Sequence, residues 1–155
     1  MQIQDTDFFR DVAANRLIMA AVSSWIGAQL IKVFLGLVKE HRFNFRWILT
    51  TGGMPSAHSA GVAALATAAG LYTGFDSVPF AIAAVFALIT MFDAQGIRRM
   101  AGQQAEVLNR IVEDIYQHRG VNEERLKELL GHTPVEVLAG AALGMVIAVL
   151  VVSLR

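Results

Sequence analysis

Four long apolar stretches in a chain of 155 residues limit what this sequence can fold into. They run Leu17–Val38, Ala57–Leu71, Val78–Phe92 and Val135–Leu154. The first and last are close to the roughly 20 residues that a helix needs to cross a hydrocarbon core. The middle two are about 15 residues each, a length equally suited to buried core helices, a re-entrant pair or short spans. With 55% hydrophobic residues and no linker or composition break, residues 1–155 read as one all-α domain. The expected architecture is an integral-membrane bundle of about four apolar helices, spanning 17–38, 57–71, 78–92 and 135–154.

Small residues recur where such helices would have to touch. Ala60, Ala64 and Ala68 repeat every fourth position, as do Gly140 and Gly144. In a membrane this spacing lets two helix backbones approach closely, although ordinary alanine-rich packing has the same look. The one long polar region, Asp93 to Thr133, holds Leu108, Ile111, Val112 and Ile115 at helical spacing among polar residues, which predicts an amphipathic helix. Gly120 is placed to end it, and Asn122 to cap a second short helix with Leu126, Leu129 and Leu130. This polar region is expected along or above the membrane surface.

Charge excludes some partners. Thirteen basic residues balance thirteen acidic ones, so nothing draws the chain globally to nucleic acid. With no cysteine there is no disulfide, thiol nucleophile or thiolate metal site. The acidic start, Met1 to Asp7, lacks the basic and apolar regions of a cleavable signal peptide. Lys39, Arg42 and Arg46 follow the first apolar stretch, and Arg98, Arg99, Arg110, Arg119, Arg125 and Lys127 lie in the polar region. By the positive-inside rule both segments are cytoplasmic in a multi-pass cell-membrane protein, with Arg10 and Arg16 counting the other way.

That threading gathers the polar candidates on one membrane face: Lys32, Arg46, Ser56, His58, Asp93, Arg98, Arg99, His132 and Glu136. Gly52-Gly53-Met54-Pro55-Ser56-Ala57-His58 is a loop that opens a helix, whose first N–H groups and dipole favour an anion. Ser56 serves there equally as an anion donor or a helix cap. His132 precedes another helix start, and Glu136 stands one turn on. The positive helix end would keep the His132 ring neutral, with Glu136 accepting its other N–H. Thr133-Pro134-Val135-Glu136 is also a capping box, so Glu136 has a second reading as a cap partner. Lys32 within an apolar stretch either snorkels or serves a site. Asp93, Arg98 and Arg99 read as an oxyanion clamp or as an interfacial ion pair. No metal is expected, because Asp93, Glu113 and Asp114 match no ordinary ligand loop.

Pro55-Ser56-Ala57-His58-Ser59 followed by His132-Thr133-Pro134-Val135-Glu136 resembles the type 2 phosphatidic acid phosphatase and vanadium haloperoxidase superfamily. Together with Thr51-Gly52-Gly53-Met54, Asp93 to Arg99, Ala101 to Ala105 and Leu108-Asn109-Arg110, the set is similar to its divergent membrane branch. The resemblance implies a phosphatase that acts without cofactor or metal on a lipid or isoprenoid phosphate. His132 would be the nucleophile that forms a phosphohistidine, Glu136 its orienting acid and His58 the general acid. Lys32, Arg46, Gly53, Ser56, Asp93, Arg98 and Arg99 would hold phosphate. Four positions depart from the superfamily pattern: Lys39, with no proline after it, and Leu126 stand where arginines are usual, Ala57 where a glycine is and Glu136 where an aspartate is. The missing arginines motivate a second reading, a headgroup-binding or transport protein without turnover. Copies of itself are compatible as further partners.

Overall fold

The computed structural model describes residues 7–40, 53–116 and 132–154, and among these every regular element is a helix. The helices are α1 (Phe8–Ala14), α2 (Arg16–Glu40), α3 (Ala57–Thr73), α4 (Val78–Gln95), α5 (Ile97–Tyr116) and α6 (Pro134–Ser153). α3 is the centre, packed against α6, α2 and α4. Its buried residues are all small: Ala57, Ser59, Ala60, Ala63, Ala64, Ala66, Ala68, Ala69 and Gly70.

The two small-residue rows are the two sides of one seam. A Cβ placed on Gly140 would collide with the backbone of Ser56, and one on Gly144 with the carbonyl of Ala60. Further along, Ala64 and Ala68 share a buried cluster with Ala148 and, from α2, Ala20. The order of these contacts makes α3 and α6 parallel. Among the described residues, every buried hydrophobic residue except Val137 is an alanine. Large apolar side chains point outward instead, Phe34, Ile82, Phe92 and Leu138 among them. Such an inside-out distribution suits a bilayer, where burial of bulk gains little and close backbone packing holds helices together.

Among the described residues, three helices are long and apolar enough to cross a membrane: Arg16–Val38, Val78–Gln95 and Pro134–Ser153. They correspond to three of the four expected apolar stretches, Leu17–Val38, Val78–Phe92 and Val135–Leu154. At 17 residues α3 is not among them. Its alanines and glycines give it little greasy surface, and the other three helices wrap it. The third apolar stretch also runs on past Phe92 to Gln95, so Asp93 belongs to a spanning helix rather than to the polar region.

Local signals account for the helix ends. Ser77 caps α4 by accepting from Phe80 N–H at 3.3 Å, with Pro79 in the first turn. Gly74, at a φ of 94°, ends α3 and donates to Gly70 C=O. The amphipathic helix expected after Asp93 is present as α5; Gly120 and the short helix after Asn122 lie outside the described residues. One clamp had no signal in the pattern. Arg16 Nη1 donates to the carbonyls of Val151 (3.1 Å) and Leu154 (2.9 Å), the unpartnered end of α6. It ties the first residue of α2 to the last turn of α6.

Gly144→Val should therefore lower stability in detergent by at least about 2 kcal/mol through forced overpacking. Ala142→Val, on the exposed side of the same helix, should be near neutral. Arg16→Ala should cost about 1 kcal/mol. Thermal unfolding followed by circular dichroism reads all three.

Candidate functional site

The parallel packing of α3 and α6 brings two helix N-termini together at one end of the bundle. Ser56 N–H donates to Glu136 C=O at 3.0 Å, which joins the cap of one helix to the first turn of the other. The C-terminal end of α4 reaches the same place, because His132 N–H donates to Ala94 C=O at 3.1 Å. From α2, Lys32 arrives with its side chain largely buried and its charge within reach of Glu136. Gly53, at a φ of 90°, lies against the Lys32 stem. Two positive helix ends and an ammonium thus meet here with the Glu136 carboxylate and the C-terminal end of α4.

Glu136 performs both of the tasks that its spacing suggested. Its Oε2 accepts from Thr133 N–H at 3.1 Å while Thr133 Oγ1 accepts from Glu136 N–H at 3.3 Å, a complete capping box. The same Oε2 lies 2.9 Å from His132 Nδ1. A carboxylate can only accept, so Nδ1 carries the hydrogen of this contact and Nε2 is the other ring nitrogen, turned away from Glu136. His132 is 4% exposed, and Nε2 is buried with no hydrogen-bond partner among the described residues. Buried ring nitrogens are seldom left so, which marks Nε2 as an unsatisfied polar atom at this end of the bundle.

Ser56 takes the cap reading. It is fully buried, and its Oγ accepts from Ser59 N–H at 3.4 Å and from Ser59 O–H at 3.0 Å. Holding the seam, it has no surface to offer an anion.

His58 is placed elsewhere. Two residues on from Ser56 and two before Ala60, it lies about 160° around the helix from both, and they face α6. The imidazole is exposed on an apolar groove of about 290 Å³ between α2 and α3, lined by Val22, Trp25, Gly61 and Leu65. The structure therefore gathers Lys32, Gly53, Ser56, His132 and Glu136, and sets His58 on another face of α3. Asp93 is in the last turn of α4 with its side chain exposed. Arg98 and Arg99 occupy the first turn of α5, just beyond the Ala94 carbonyl that His132 uses. Arg46 lies outside the described residues. Among the described residues no three of His, Cys, Asp and Glu gather as metal ligands. The Ala94 carbonyl is the contact that sequence reading missed, since a backbone acceptor leaves no side-chain signal.

An all-helical membrane bundle with a buried His–Glu pair at a helix start is the class of protein that this geometry defines. The chain belongs to the divergent PAP2 family, whose model matches residues 13–147, from the end of α1 into α6. It is 41% identical over 150 residues to the uncharacterized membrane protein YuiD of Bacillus subtilis (strain 168), an alignment covering 88% of this chain and 94% of that one. No solved structure matches the chain.

The double role of Glu136 is open to a stability test. Thr133→Ala should cost about 1 kcal/mol, the usual value of a lost cap. Glu136→Ala should cost more, because it also leaves the buried Nδ1–H of His132 without an acceptor. Glu136→Gln, which keeps an acceptor oxygen, should fall between wild type and Glu136→Ala on chemical denaturation in detergent.

Proposed function

We propose that the protein hydrolyses a lipid or isoprenoid phosphate ester at the Lys32–His132 end of the bundle, through a phosphohistidine. The observation that carries this reading is the buried His132 ring, held through Nδ1 by Glu136 and unpaired at Nε2. Nε2 attacks phosphorus, the P–O bond to the lipid alkoxide breaks, and water then releases inorganic phosphate from the histidine. Lys32 and the two helix N-termini stabilise the equatorial oxygens, where charge gathers in the transition state. Arg98 and Arg99 are assigned to the same anion from their place one turn beyond Ala94. Membership of a divergent phosphatase family supports the reaction class. The site is assigned to the cytoplasmic face, on the basic residues after the first span and in the polar region. Arg16, which counted the other way, has a separate structural employment at the end of α6.

A second reading, headgroup binding without turnover, is favoured by one observation. His58, the acid that would protonate the leaving alkoxide, opens on the α2–α3 groove and not beside His132.

Purified protein in detergent, given a panel of lipid phosphates and isoprenoid diphosphates, should release phosphate. His132→Ala should abolish release, and Lys32→Met should reduce kcat by about 10²–10³-fold, as for loss of one oxyanion donor. Saturable headgroup binding without phosphate release, unchanged in His132→Gln, would establish the binding reading instead. Full activity in His132→Ala would refute the hydrolytic one.

A further inference from the structure

α5 is packed inside out. Its apolar residues Val107, Leu108 and Ile111 share an arc of about 100° with Gln104, at the i, i+3, i+4, i+7 spacing of one helix face. In a water-soluble bundle that face would be turned to the core. Here the three are 56%, 49% and 48% exposed, while Gly102 is buried and Ala105, Glu106, Asn109 and Val112 are half-buried. Apart from Val112, the residues turned inward are polar or small, and Val107, Leu108 and Ile111 face out. Among the described helices α5 touches only α4, so none of those helices covers the apolar arc.

The preceding helix indicates what does. α4 is a span-length helix whose exposed Leu88, Ile89 and Phe92 continue to within one turn of Gly96, where α5 begins. α5 thus starts where the lipid-facing surface of α4 ends, and its apolar arc follows about two to three turns further on. Arg110, paired with Glu106 at 2.6 Å, and Glu113 stand at the edge of the arc and beyond it. An apolar face flanked by exposed charge, joined directly to the end of a span, has the character of a helix lying in the membrane interface.

We propose that α5 is an interfacial helix, with Val107, Leu108 and Ile111 inserted at the headgroup–acyl boundary of the bilayer leaflet that holds the His132 site. The bilayer is its partner. Because His132 is pinned to Ala94, a few residues before α5, this sets the candidate site at headgroup depth. That is where a phosphate on a membrane lipid resides, whereas a soluble phosphate ester would have to reach it from water. The inference rests on the membrane character of the chain and on the exposure of α5, and stands whether or not the site turns over a phosphate ester.

The chain has no cysteine, so single cysteines can be introduced one at a time into the full protein. Val107→Cys, Leu108→Cys, Ile111→Cys, Arg110→Cys and Glu113→Cys would each carry an environment-sensitive fluorophore, with the protein reconstituted in phosphatidylcholine vesicles. Labels at 107, 108 and 111 should emit to the blue of those at 110 and 113, and should lose emission when lipids with a shallow doxyl group are included. Labels at 110 and 113 should instead be quenched by aqueous iodide. Equal iodide quenching at all five positions would overturn the proposal by placing the face in water. Protection of 107, 108 and 111 from both quenchers, with self-quenching relieved by unlabelled protein, would overturn it in favour of a second copy.

Discussion

Backbone-to-backbone contact between α3 and α6 is the constraint on which the rest depends. In a bilayer, lipid solvates leucine as well as another helix does, so bulk apolar burial gives helices little reason to associate. Close approach does, and Gly140 and Gly144 allow it against Ser56 and Ala60. The two helices are parallel, so the seam that joins them also stacks their positive ends. The pairing of the two helix starts is thus a by-product of how the core is held together.

Glu136 sits where the two helix starts meet and links structure to chemistry. One carboxylate oxygen completes the cap of α6 and fixes the ring of His132. Helix capping and histidine orientation are often treated as rival explanations of an acidic residue at the fourth position of such a motif. Here they are the same geometry: the residue before the cap and the amide of the cap converge on one acceptor. Lys32, brought up by α2, offsets the charge on Glu136 and lies along Gly53 from the loop that opens α3.

The opposite end of the bundle shows the complementary solution. There α6 leaves carbonyls unpartnered, and Arg16 at the start of α2 supplies donors to two of them. α2 is antiparallel to α6, so its two cations, Arg16 and Lys32, serve opposite ends of the same partner helix. Both lie at positions where a hydropathy reading would register only an interruption or a flank.

Much of this was legible in the chain. The spans at Leu17–Val38 and Val135–Leu154, the small-residue rows and the capping box at Thr133–Glu136 are local patterns, set by helix periodicity and by what each residue's own backbone neighbours need. The sequence by itself determined that the chain would be a membrane helical bundle, where its helices would start, and that His132 and Glu136 would meet. Only the tertiary structure decided that α3 is the wrapped centre, that Ser56 is consumed by the seam, and that His58 looks out on a different groove. Those outcomes depend on which side of α3 meets α6. A helix places neighbouring residues about 100° apart, so rotation of one helix about its axis decides which of Ser56 and His58 joins the site. That rotation is chosen by Gly140 and Gly144, more than eighty residues downstream.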